Sequence, residues 1–205
     1  MARIFVEGGG DRDLDARCRE AFTELLRRCG FQGRMPRLVA CGGRNNAYDR
    51  FCTAHQQTAG SDWVALLIDS EDPVANIEAT WAHLKGRDRW EQPVGATDEQ
   101  VLLMTTSMET WIIADHAALR ARYSADLQAK ELPALEGLES RPRQDVLRAL
   151  SQATRNSRHP FRKGNESFQV LLLLDPAELA RHLPSFARAR RILDKNLRVT
   201  TDSRA

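Results

Sequence analysis

Two hydrophobic runs that end on acid constrain this chain more than any other feature. Ile4-Phe5-Val6 leads into Glu7-Gly8-Gly9-Gly10-Asp11, and Trp63-Val64-Ala65-Leu66-Leu67-Ile68 leads into Asp69-Ser70-Glu71-Asp72. Short apolar runs bounded by turn residues read as strands buried on both faces, and such strands need helices above and below the sheet. The expected fold is therefore α/β, a mostly parallel sheet flanked by helices. In open sheets of this kind ligands bind just beyond the carboxyl ends of the strands. Glu7, Asp69 and Glu71 all fall there. Carboxylates crowded into one crevice repel each other and resist ionisation, and a hard cation such as Mg²⁺ relieves that with the oxygen ligands it prefers. Such a cation points to phosphate chemistry.

The rest of the chain supports that architecture. Asp11 is placed to cap a helix running to about Cys29, with Leu14, Cys18, Ala21, Phe22, Leu25 and Leu26 as its apolar stripe and Gly30 as its stop. Residues 36–41 read as a second strand, and residues 45–57 as a helix. Asp72-Pro73 has the form of an N-cap followed by an N1 proline and predicts a helix to about Leu84. Residues 101–105 read as a fourth strand, with a helix from Thr106 to about Tyr123. Beyond a Pro- and Gly-containing loop at 132–142, helices are expected at 143–154, 165–174, 176–182 and 184–195. The predicted division is an α/β domain over residues 1–130 and a basic helical extension over 131–205, packed on it.

Composition narrows the function class. No apolar run approaches the ~20 residues that cross a bilayer, which predicts no membrane partner. The four cysteines form no CxxC pair and the five histidines show no zinc-ligand spacing, so a reduced, cytoplasmic protein without structural zinc is expected. The net charge of +2 hides an asymmetry: residues 139–205 carry 14 Lys/Arg against 7 Asp/Glu. Between Arg141 and Lys163, seven basic residues face only Asp145. Arg155, Arg158 and Arg162 in this segment are candidate contacts to a nucleic-acid backbone, with an ordinary solvated surface as the alternative.

Several candidates carry two readings. Asp69 and Glu71, two apart in an extended chain, would point to one side about 6–7 Å apart, able to share a metal. Glu109 stands three residues after Thr106, a capping-box spacing, yet it also falls at the sheet edge that holds the acids. Lys163-Gly164, just before a predicted helix, suits an anion. Arg44, after Gly42-Gly43, suits one too.

Glu7-Gly8 at one strand end and Asp69-Ser70-Glu71 at another are similar to the Toprim fold of topoisomerases, primases and OLD-family nucleases. The segments Cys41-Gly42-Gly43-Arg44-Asn45-Asn46-Ala47, Met108-Glu109-Thr110-Trp111-Ile112-Ile113-Ala114-Asp115, Lys163-Gly164-Asn165-Glu166-Ser167-Phe168 and Leu183-Pro184-Ser185-Phe186 resemble a bacterial family of small Toprim-like proteins, domain of unknown function 4276. That resemblance implies Mg²⁺- or Mn²⁺-dependent phosphodiester hydrolysis of DNA or RNA. Glu7, Asp69, Glu71 and Glu109 would be metal ligands, and Lys163 would act with Glu7, Asp69 and Glu71 in catalysis. Arg44, Arg155, Arg158 and Arg162 would hold nucleic acid. It also implies an ABC-type ATPase partner in phage defence. The sequence departs from the Toprim pattern in carrying Glu71 in place of Asp, and from the OLD arrangement in the spacing around Glu109. A nucleotide phosphohydrolase or phosphotransferase, and a non-catalytic partner of the ATPase, are the alternative expectations.

Overall fold

The computed structural model describes residues 2–58 and 62–197. Four parallel strands, β1 (Arg3–Val6), β2 (Arg37–Ala40), β3 (Val64–Asp69) and β4 (Val101–Met104), form one sheet in the order β2-β1-β3-β4. The chain moves outward from β1 to β2, returns past β1 to β3, and continues to β4. The strand order therefore reverses between β1 and β3, and such a switch point opens a crevice at the carboxyl ends of the two strands.

Both faces of the sheet are covered, which is why the strands are apolar between their ends. Ile4, Val6, Ala65, Leu67, Leu102 and Met104 join one core with helix α1 (Arg12–Leu26) and the C-terminal helices. Phe5, Val64, Leu66, Ile68, Val101 and Leu103 join the other core with α2 (Arg44–Gln57) and α3 (Thr80–Asp88). The covering helices of the first face continue with α4 (Met108–Ala114), α5 (His116–Tyr123), α6 (Arg143–Thr154), α7 (Asn165–Leu171), α8 (Pro176–His182) and α9 (Pro184–Asn196). Their buried residues, from Val146 and Leu150 to Ile192 and Leu193, belong to the same cluster as β1 and α1. At the β4 edge, buried Arg188 of α9 donates to the Val101 carbonyl at 3.0 Å and ties the last helix to the sheet.

The start of α1 follows its sequence signal, since Asp11 accepts from the Asp13 and Leu14 amides at 2.9 and 2.8 Å. Three expectations need correction. The helix predicted from Asp72-Pro73 does not form there; α3 begins at Thr80. Asp72 instead pairs with Arg87 at 3.1 Å, and the capping of α3 comes from a distant residue, Asp98, whose carboxylate accepts from the Trp81 amide at 2.8 Å. The helix predicted over 106–123 is two helices. Asp115 breaks it by accepting from the Ala118 amide and, through its other oxygen, from the Asp175 amide. The helix expected over 165–174 ends at Leu171.

Cys18, Cys29 and Cys41 are buried, Cys52 is half-buried, and all four are free thiols. Among the described residues no helix is long and apolar enough to cross a membrane.

Candidate metal centre

The loop after β1 and the loop after β3 meet at the switch point. Glu7 extends β1 by one residue and donates its amide to the Leu67 carbonyl at 2.8 Å. Gly8 and Gly42 then exchange both backbone hydrogen bonds, at 2.9 and 2.8 Å, which binds the loop after β1 to the loop after β2. Gly9 must be glycine: its φ is +93°, and a Cβ there would lie 2.0 Å from an Asp15 carboxylate oxygen.

Asp69 is the last residue of β3 and is buried. The chain does not stay extended beyond it, so the expected geometry of the Asp69–Glu71 pair is replaced by a turn. Ser70 donates its amide to the Met104 carbonyl at 3.0 Å, and Glu71 donates its amide to the Thr106 carbonyl at 2.8 Å. Glu71 is held at φ +68°, a left-handed conformation that costs a non-glycine residue about 1–2 kcal/mol. Strain of this kind persists where the surroundings impose it and clusters at functional sites. Its result here is that Glu7, Asp69 and Glu71 each offer a carboxylate oxygen within 4.8 Å of the other two.

The three carboxylates crowd each other. Burial, and then the charge of Asp69, push the Glu7 carboxyl up to about 7, although Arg44, the Asp69 amide and Lys163 pull the other way. Each acid also meets its own cation. Arg44 reaches Glu7 at 3.6 Å and donates to the Asp69 carbonyl, while its main partner is Asp88, with bonds of 3.1 and 2.6 Å. Lys163 reaches Asp69 at 3.4 Å. Arg143, the first residue of α6, donates to Glu71, and Arg87 stands 3.8 Å from the same Glu71 oxygen. Asp69 has a second task, because its other oxygen accepts from the buried Met108 amide at 2.8 Å and so fixes the start of α4.

Glu109 lies behind this group and is not one of the converging acids. It is fully buried on α4, with Lys163 3.8 Å from one oxygen and the Ser167 hydroxyl donating to the other at 3.2 Å. The oxygen facing Lys163 is buried without a hydrogen-bond partner. Burial raises the Glu109 carboxyl, against the pull of Lys163. The expected capping-box role is absent: Ser107, the N-cap residue of α4, makes no side-chain capping bond, and the Met108 amide is met by Asp69 instead.

The remaining candidates divide. Lys163 is at the centre. Arg44 is beside it but committed to Asp88. Arg155, Arg158 and Arg162 are exposed on the loop between α6 and α7, whose last residues bring Lys163 to the acids. Sequence reasoning misses Arg87, Arg143, Asp88 and Ser167. Arg143 stands within the basic segment, but nothing in its neighbours marks it as the partner of Glu71, 72 residues away.

A family model, Domain of unknown function (DUF4276), matches residues 6–193. The chain belongs to this family. The matched span takes in Glu7, Asp69, Glu71, Glu109, Arg143 and Lys163, so the whole centre lies inside the family's domain. No curated protein and no solved structure matches the chain.

The donor set fits a divalent cation. Three carboxylates within 4.8 Å, one of them pushed up to about 7 by burial and then by the charge of Asp69, are hard oxygen ligands whose repulsion a cation would relieve. A cleft of about 200 Å³, lined by Glu7, Asp69, Lys163 and the glycines at 8, 9, 42 and 164, gives access to Glu7 and Asp69.

Proposed function

We propose that this protein is a Mg²⁺- or Mn²⁺-dependent phosphodiesterase of nucleic acid, a Toprim-like nuclease. The reading rests on one observation: three carboxylates from two strand ends converge at the switch point of a parallel sheet, with a lysine against the central acid. Glu7, Asp69 and Glu71 would hold the cation, which when bound supplies Lewis-acid polarisation of a phosphoryl oxygen and a more acidic water. Lys163 lies against Asp69 and is exposed enough to meet a phosphate, so it would offset charge that builds up during P–O cleavage. Arg155, Arg158 and Arg162 would hold the backbone of the polymer without reading its sequence. A cytoplasmic setting and an ABC-type ATPase partner in phage defence belong to the same proposal, on the strength of the Toprim-like resemblance.

The rival with an observation in its favour is a non-catalytic role beside the ATPase. Each acid of the centre is already matched by a basic side chain, a balance that would also serve a purely structural network. Asp69→Asn separates the two. Asparagine keeps an oxygen for the Met108 amide, whereas alanine would strand that buried donor at a cost of about 1–3 kcal/mol. Wild-type protein is expected to cleave single-stranded or duplex DNA or RNA with Mn²⁺, and Asp69→Asn to melt near the wild-type temperature with no cleavage. Absence of cleavage by both proteins, with every substrate and either metal, would favour the non-catalytic role.

A further inference from the structure

The basic segment leaves the acidic centre and comes back to it. Near its start Arg143, the first residue of α6, is bonded to Glu71, and the chain returns through an exposed loop to Lys163, bonded to Asp69. The two ends of one excursion thus hold two of the three carboxylates. Lys163 already has a role. Arg143 has none, and its surroundings are unusual in two ways.

First, its partner is shared. The Glu71 oxygen that accepts from Arg143 is also 3.8 Å from Arg87, so that oxygen faces two guanidinium groups. A metal ion seated among Glu7, Asp69 and Glu71 would draw on the same carboxylate. Second, the Arg143 guanidinium is only partly used. Its Nε is buried and without a hydrogen-bond partner, on a side chain that is about a quarter exposed. Arginine presents a planar fork of donors suited to carboxylate and phosphate alike. A buried unpaired N–H on a charged group is costly, so the side chain is imperfectly satisfied on Glu71 and can turn its partly exposed fork to an incoming anion.

We propose that Arg143 is a phosphate-binding residue of this centre, held on Glu71 until a metal ion claims that carboxylate. Arg143 and the metal then compete for Glu71, while the metal and the phosphate cooperate through Arg143. The proposal rests on the metal-site reading above and adds the residue that links metal loading to substrate capture. It gives Arg143 direct contact with the phosphate at the metal, a role distinct from that of the exposed arginines at 155, 158 and 162, which would track the polymer.

Competition and cooperation give opposite signs in one variant. Arg143→Met, which keeps much of the side-chain bulk, removes a competitor and should bind Mn²⁺ roughly fivefold more tightly by calorimetry, the scale of one partly exposed ion pair. The same variant should bind a fluorescent single-stranded DNA roughly tenfold or more weakly in Ca²⁺, because a charge-assisted hydrogen bond to phosphate is missing. Arg143→Lys keeps the charge without the fork, and should restore the Mn²⁺ affinity of wild type but only part of the DNA affinity. A merely structural arginine would weaken both ligands together, with a lowered melting temperature, and that result overturns the proposal. Unchanged affinities in Arg143→Met overturn it as well. If wild-type protein itself fails to bind Mn²⁺, the metal-site reading falls and this proposal with it; if wild type binds and only Arg143→Met behaves unexpectedly, the proposal alone falls.

Discussion

The acids and the bases of the centre are built by different means. The acids stand on the sheet or are tied to its edge: Glu7 continues β1 and Asp69 ends β3, both within strand-to-strand pairing, and Glu71 follows in a turn whose amide is bonded to the Thr106 carbonyl. The bases come from outside it, Arg44 from the start of α2, Arg87 from the end of α3, Arg143 from the start of α6 and Lys163 from a loop. Backbones fixed in this way hold Glu7 and Asp69 close together, so repulsion between them is built in. Bases on helix ends and loops can shift without unfolding the sheet. The difference suggests a division of labour, with a rigid cation site and a movable set of phosphate contacts.

The largest effect expected on this division, short of removing Asp69, is at Lys163. Lys163→Ala should lower the cleavage rate roughly 10²–10³-fold, in line with removing one group that stabilises developing charge. Metal affinity should hold or rise slightly, since a cation beside Asp69 is gone. Calorimetry and single-turnover kinetics on the same preparation check this, and a parallel loss of metal binding would blur the line between acids and bases.

Glu109 puts the division under closer test because it is an acid on the base side. The Toprim-like resemblance makes it a metal ligand; its position under Lys163 makes it the support of that lysine. Glu109→Gln keeps the size and an acceptor for Ser167. It should leave Mn²⁺ affinity within about twofold of wild type and slow cleavage roughly tenfold, about the worth of one partly buried charge interaction. A large loss of Mn²⁺ affinity in this variant would place Glu109 among the ligands instead.

The smallest effect belongs to the exposed loop. Neutralising Arg155, Arg158 and Arg162 together should leave melting temperature and metal binding alone. It should flatten the salt dependence of duplex DNA binding by a slope of about 0.9 for each phosphate that these side chains neutralise in the wild type. An unchanged slope would make these residues ordinary surface.

What is legible in the sequence follows the same division. The strands announce themselves by unbroken apolar runs, because both sheet faces are covered, and the runs of β1 and β3 end on the acids that the centre uses. Asp11 is legible because its capping partners are two and three residues away. Asp72-Pro73 misleads because the local capping pattern loses to a distant one: Asp98 caps α3, and Arg87 takes Asp72. Glu71 reaches its place through a left-handed turn tied to the Thr106 carbonyl, not through an extended pair, so its spacing from Asp69 points to the right residue by way of a geometry that does not exist. The bases are least legible. Arg143 finds Glu71 and Lys163 finds Asp69 across 72 and 94 residues, and such pairings depend on how α6 and α7 dock on the sheet. No local periodicity records that docking.

The nuclease reading and the role of Arg143 both require that Glu7, Asp69 and Glu71 form one cation site. The decisive measurement is anomalous scattering from a crystal of the wild-type protein soaked in Mn²⁺. A peak is expected within about 2.0–2.6 Å of oxygens from all three side chains, the span of hard-cation oxygen distances. A fully soaked crystal with no peak there, its carboxylates still held by Arg44, Arg143 and Lys163, would contradict the assignment.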